Sequence, residues 1–159
     1  MKVLIISDTH GLRNTFDAVI EKEQDIDMLI HLGDVERDED YIQSMVKCPA
    51  IILSGNNDFF SQLPTEREIT IGDYKVFLTH GHSYYVSIET KTLRRVAMAK
   101  GANIVMFGHT HKPYMDVDGD IKIINPGSIS YPRQEGRKNT YIIMEMDKEG
   151  NLHFELKNV

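Results

Sequence analysis

The chain has 159 residues, enough for one domain with a multilayer core and no covalent staples. Its formal charge of -6 argues against a broad basic face for nucleic acid or anionic lipid, so any phosphate-bearing substrate must be drawn by a local positive centre. The one cysteine, Cys48, excludes an internal disulfide framework and a multi-thiolate metal site, and the absence of an apolar run of spanning length or a leader pattern makes a reducing cytoplasm the expected setting.

Lys2 to Ser7 is a continuous apolar and β-branched run, the pattern of a strand covered on both faces. Leu12 to Gln24 has helical spacing through Phe16, Val19 and Ile20, with Asn14 or Thr15 as the expected cap. A second strand is expected over Met28 to Leu32, a helix over Asp38 to Lys47 and a third strand over Ala50 to Leu53. The order βαβαβ predicts a parallel sheet with helices on its faces, and such sheets bind ligands beyond the carboxyl ends of their strands. Glu68 to Ile71 and Tyr74 to Thr79 flank Gly72-Asp73, a hairpin turn. A helix is expected over Ile88 to Lys100, stopped by Gly101, followed by strands over Asn103 to Phe107, Tyr114 to Val117, Ile121 to Ile124, Thr140 to Met146 and Leu152 to Leu156. With no repeat and no linker, two packed sheets with helices outside is the economical architecture, and residues 1 to 159 read as a single domain.

Five of these strands end in residues that ligate metals: Asp8 and His10, Asp34, Asn56, His80, and His109 with His111. Taken singly, each has an ordinary structural role. Asp8 and His10 suit a helix cap and a surface site, Asp34 and Asn56 suit turns, and His80 suits a hydrogen-bonded core. Five strands finishing in ligand-type side chains, none of them cysteine, is an odd way to make turns. Seven such ligands exceed the needs of one tetrahedral ion but divide between two ions that share one carboxylate, an arrangement suited to hydrolysis at phosphorus.

The series Asp8-x-His10, Gly33-Asp34, Gly55-Asn56-x-Asp58, His80-Gly81-His82 and Gly108-His109-x-His111 resembles the calcineurin-like metallophosphoesterases, in particular their small phosphodiesterase branch, over residues 1 to about 133. The resemblance implies an α/β fold of the α+β type, a four-layer αββα sandwich of two mixed sheets flanked by helices. It implies that Asp8, His10 and His111 hold one metal, that Asn56, His80 and His109 hold a second, and that Asp34 bridges them. The implied activity is phosphodiester hydrolysis by in-line attack of a metal-bridging hydroxide. Asn125-Pro126-Gly127-Ser128 and Arg133 also resemble the family's stretch after its last metal motif, with Arg133 a candidate phosphate contact or simply a solvated strand end.

The sequence departs from the family at Asn57, where many members carry a histidine that steadies or protonates the leaving group. A neutral amide donates a hydrogen bond but is no general acid near pH 7, so slow turnover favouring activated diesters is expected. His82 is a candidate proton source or a support for His80. Two divalent cations are expected, manganese first, with nickel, iron or zinc also compatible with oxygen and nitrogen ligands. The expected partner is a small-molecule phosphodiester, with no membrane and no extended nucleic-acid surface, and a homo-oligomer is left open. The alternative is a protein-interaction scaffold of the same fold, as in the small retromer coat subunit, since fold alone does not carry activity. His31 and His153 are expected to be structural or exposed, Cys48 a small buried hydrophobe, and the charge run Glu36 to Asp40 no more than a complement to a helix dipole.

Overall fold

A computed structural model describes all residues 1–159. The first sheet contains β1 (Lys2–Ile6), β2 (Met28–His31) and β3 (Ala50–Ile52), all parallel, and closes with antiparallel β9 (Thr140–Met146) and β10 (Leu152–Asn158) in the order β10-β9-β1-β2-β3. The second contains β4 (Glu66–Ile71), β5 (Tyr74–Thr79), β6 (Ile104–Met106), β7 (Pro113–Asp116) and β8 (Lys122–Pro126) in the order β4-β5-β6-β8-β7, with β5, β6 and β8 parallel. The helices are α1 (Arg13–Lys22), α2 (Glu39–Met45) and α3 (Lys91–Lys100).

The period-two alternation of the strands builds the layers. Val3 and Ile5 of β1 point inward with Ile30, Val76, Leu78, Ile104 and Met106, forming the core between the sheets. Leu4 and Ile6 point the other way, packing with Phe16 and Val19 of α1 and Ile42 of α2. On the far side, Leu93 and Ala97 of α3 cover Phe77, Val105 and Ile123. The result is the expected αββα sandwich, with the parallel strands of both sheets buried on both faces, which is why they read as unbroken apolar runs. No helix is long and apolar enough to cross a membrane.

Three local expectations are corrected. Neither Asn14 nor Thr15 caps α1: Leu12 stands at the cap without a side-chain bond, and Thr15 Oγ1 lies 3.0 Å from Ser130 Oγ instead. Helix α3 begins at Lys91, three residues after the expected Ile88, which is exposed, while Gly101 (φ 66°) ends the helix as expected, its N–H bonding to the Ala97 and Met98 carbonyls. The Glu36 to Asp40 run is also more than a dipole complement, because Asp38 forks Arg13 (2.6–3.1 Å) and Glu36 lies outside α2 in the functional site.

Glu23, only 4% exposed, ties α1 to the far edge of the first sheet. Burial by itself would raise its pKa, but hydrogen bonds from Lys157 Nζ (2.9 Å), the Tyr141 hydroxyl (2.8 Å) and Lys2 hold it down at about 2. Because the folded-state value lies below the ordinary one, the contribution is complete above roughly pH 5 and is lost as the pH falls toward 2. Glu23→Gln is therefore expected to cost on the order of 2 to 3 kcal/mol at pH 7, a difference that shrinks below about pH 4 in denaturant titrations.

Candidate metal centre

The seven candidate ligands arise beyond the carboxyl ends of β1, β2, β3, β5 and β6, at one end of the two facing sheets. Strand alternation is not what aligns Asp8 with His10, because β1 has already ended at Ile6. Instead Asp8 (φ 57°), His10 (48°), Asp34 (58°), His109 (67°) and His111 (55°) all take left-handed backbone conformations. Five such turns concentrated at one spot, outside glycine, mark a place where the surrounding structure holds the backbone in a costly geometry. The holding bonds are visible. The Asp8 N–H donates to the Gly33 carbonyl (3.0 Å), His10 N–H to Asp34 O (3.0 Å) and Gly108 N–H to His80 O (3.0 Å). Between the sheets, Ser128 Oγ donates to Asp8 O (2.8 Å) and the His109 N–H to Asp8 Oδ2 (3.2 Å).

One half of the centre contains Asp8, His10, Asp34 and His111, whose donor atoms lie within 4.8 Å of one another. The other contains Asn56, His80 and His109: Asn56 Oδ1 lies 3.2 Å from His80 Nε2 and 2.9 Å from His109 Nδ1. Asp34 Oδ2 faces both halves, 3.7 Å from His10 Nε2 and 3.5 Å from His80 Nε2. All seven side chains named from the sequence are thus gathered.

The protonation of the rings follows from their partners. His80 Nδ1 bonds the Leu32 carbonyl (2.8 Å), His111 Nδ1 the Tyr131 carbonyl (2.6 Å) and His10 Nδ1 the Glu36 carboxylate (2.7 Å). These oxygens only accept, so each Nδ1 carries the hydrogen and each Nε2 turns inward, bare in the neutral ring and protonated where the neighbouring carboxylates favour charge, as at His80. His10 Nε2 then faces His111 Nε2 at 3.3 Å, and His111 Nε2 faces Asp8 Oδ1 at 3.2 Å, acceptor against acceptor. Asp8 Oδ1 is buried and has no hydrogen-bond donor. Such a cluster demands positive charge at its middle, and oxygen and nitrogen ligands without sulfur suit divalent cations. The titration behaviour expresses the same demand. Burial opposes ionisation of Asp8, but His111 and His80 hold its pKa below the ordinary value; burial opposes charge on His80, but Asp34 and Asp8 raise its pKa. The Asp34 carboxyl is likewise held below the usual range, burial being outweighed by His80 and Asn57.

Three glycines make room for this packing. A Cβ on Gly33 would lie 2.7 Å from His80 Nδ1, on Gly55 2.2 Å from Asp34 Oδ1, and on Gly108 2.0 Å from Ser7 Oγ.

Asn57 donates through its backbone N–H to Asp34 Oδ1 (2.8 Å) and through Nδ2 to Asp34 Oδ2 (2.7 Å), so its amide rests on the Asp34 carboxylate. His82 makes no hydrogen bond with the ligands; its ring lies 5.5 Å from that of His80 and 6.1 Å from that of His109, and burial lowers its pKa. Arg133 is exposed beside the centre, its backbone N–H bonded to His111 O (2.9 Å), and it lies outside any strand. His31 is fully buried, with Nε2 3.0 Å from Thr9 Oγ1 and Nδ1 accepting the Gly33 N–H; burial lowers its pKa to about 4.

Sequence reasoning missed Glu36 and undervalued Asp58. Glu36 stands two residues after Asp34, repeating the spacing of Asp8 and His10, which was its available signal. Asp58 accepts the N–H groups of Val35 (2.9 Å), Glu36 (2.6 Å) and Gly55 (2.7 Å), lacing the β2 and β3 loops together.

The model of the calcineurin-like phosphoesterase superfamily domain matches residues 1–149. The chain belongs to this superfamily. The phosphoesterase is 33% identical over 150 residues to a probable metallophosphoesterase, YsnB, of Bacillus subtilis, an alignment covering 94% of this chain and 86% of that one. Its fold superposes with a TM-score of 0.80 on a Streptococcus pneumoniae protein described as a predicted phosphoesterase, at 25% identity over 99% of this chain and 97% of the other. It also superposes on Vps29 of Entamoeba histolytica complexed with zinc, with a TM-score of 0.76 at 20% identity and 99% coverage of each chain, a likeness of fold. Family membership supports a hydrolase of the phosphoesterase kind, the family is metal-dependent, and the clustered ligands agree with it.

Proposed function

We propose that this phosphoesterase hydrolyses small phosphodiesters with two divalent cations, manganese first among the candidates. Asp8, His10 and His111 would hold one, Asn56, His80 and His109 the other, and Asp34 both. The observation that carries this reading is the convergence of the Nε2 atoms of His10, His80 and His111 (4.0, 3.9 and 3.2 Å) on the unpartnered Asp8 Oδ1. Bound there, the cations supply the charge that activates water at neutral pH and offsets charge gathering on the phosphoryl oxygens. The protein's own part is positional. Carbonyl and carboxylate acceptors lock three imidazoles in one tautomer, so little reorganisation is needed during reaction. Arg133 offers a guanidinium for a phosphate oxygen. A reducing cytoplasm agrees with the single thiol.

Protein stripped with chelator and reloaded with each metal tests the reading. The expected result is two equivalents of metal per chain and at least about a hundredfold rescue of bis(p-nitrophenyl) phosphate hydrolysis; no rescue by manganese, nickel, iron or zinc would count against an enzyme. Asn57 gives a finer expectation. An amide resting on Asp34 supplies no proton to the departing alcohol, so the wild type should depend steeply on leaving-group pKa. Asn57→His is expected to flatten that dependence, raising alkyl-ester turnover by about a hundredfold. An unchanged slope would remove Asn57 from the leaving-group step.

A second reading, an interaction scaffold, draws on Phe59 and Phe60, 70% and 95% exposed on the rim of a hollow of about 500 Å³ that Asn57 also lines. Metal analysis separates the two: no bound metal at micromolar free cation favours the scaffold.

A further inference from the structure

Beside the candidate centre lies a hollow of about 840 Å³, lined by His10 and His111 of the centre together with Tyr131, Arg133, Arg137 and Asn139. Arg13 and Arg94 are held by Asp38 and Asp116, yet neither guanidinium on this hollow has an acceptor. The one carboxylate lining it, Glu36, is engaged by His10 Nδ1 at 2.7 Å. The hollow is therefore net positive in a chain that is net negative. Its floor is tied to the centre, because the Arg133 N–H and the Tyr131 carbonyl both bond His111. Tyr131 makes a T-shaped contact with His10, 5.3 Å between ring centres, and remains 49% exposed, so about half of it is open to a ligand in the hollow. The side-chain amide of Asn139 makes no hydrogen bond within the chain and is free to contact a base edge or a ribose.

We propose that this hollow is a specificity subsite for a second phosphate on the non-reacting part of a nucleotide substrate, with Arg137 its principal contact and Tyr131 the surface on which the base rests. A planar fork with five donors matches a phosphate dianion, and an aromatic face accepts any base. The inference rests on the phosphodiesterase reading above for its reacting group, but it concerns binding and is measured without turnover.

The experiment is calorimetric titration of manganese-loaded protein with adenosine 3′,5′-bisphosphate and with 5′-AMP, probes that differ by one phosphate. The wild type is expected to prefer the bisphosphate by about tenfold. Arg137→Ala should bring the two within about twofold, and Arg137→Lys should restore part of the preference, because the charge is kept and the fork lost. Arg95→Ala on α3, an exposed arginine that does not line the hollow, should leave the tenfold preference intact. Equal affinities in the wild type, or a preference that survives Arg137→Ala, overturn the subsite. Phosphate preference with no hydrolysis of any diester would uphold it and defeat only the catalytic reading.

Discussion

Asp34→Asn is expected to reduce kcat/KM on metal-loaded protein by about 10³-fold, equivalent to roughly 4 kcal/mol of transition-state stabilisation. The size follows from position. Asp34 Oδ2 is the atom that faces both His10 Nε2 (3.7 Å) and His80 Nε2 (3.5 Å), so one substitution weakens both halves of the centre. The amide also introduces a donor where Asn57 presents two, its backbone N–H to Oδ1 and its Nδ2 to Oδ2. Either orientation of the new amide sets donor against donor and unlatches the β3 loop. Thermal denaturation supplies the independent readout. Saturating manganese at a hundred times Kd should stabilise the wild type by about 2.7 kcal/mol per site, and Asp34→Asn should lose most of that gain while its metal-free Tm stays measurable. A variant that still binds two equivalents of metal and keeps its rate would end the assignment of Asp34 as the shared ligand.

Gly55→Ala is expected to destabilise the fold by about 3 kcal/mol and to displace the same carboxylate from the other side. The added Cβ would sit 2.2 Å from Asp34 Oδ1 and 2.6 Å from Asp34 N, and the second contact is with backbone, which has no rotamer through which to retreat. Gly101→Ala is the comparison. Gly101 lies at φ 66° with nothing within 4 Å of where its methyl would stand, so its cost is conformational, about 1 kcal/mol, and metal binding should be untouched. Denaturant melts with metal analysis separate the outcomes: equal effects of the two substitutions would contradict the close packing of Gly55 on Asp34.

The two substitutions also show which features could be read in advance. Asp34 was visible because a carboxylate at a strand end, among imidazoles at other strand ends, makes sense only as a set. Gly55 stood inside a quoted motif, but its reason, an atom of Asp34 arriving from 21 residues away, is invisible along the chain. The same division separates the two members of each histidine's surroundings. His111 was legible; the Tyr131 carbonyl that fixes its tautomer was not, since every residue carries a carbonyl and only the fold selects one. Along the chain Glu36 reads as part of a charged helix start, because charge runs usually are, and only the loop geometry turns it toward His10. The expected caps at Asn14 and Thr15 failed for a comparable reason: Thr15 found a tertiary partner in Ser130.

By itself, the sequence determined the strands, their order and the seven ligand-type side chains at their ends, because apolar runs buried on two faces and imidazoles beside carboxylates are local chemical facts. The tertiary structure alone decided that β9 pairs with β1 across more than 130 residues, that the Tyr131 carbonyl meets His111 Nδ1, and that Arg133 and Arg137 border one hollow. Those outcomes depend on long-range pairing and on backbone turns held open against their own preference, and neither leaves a mark in the identity of a single residue.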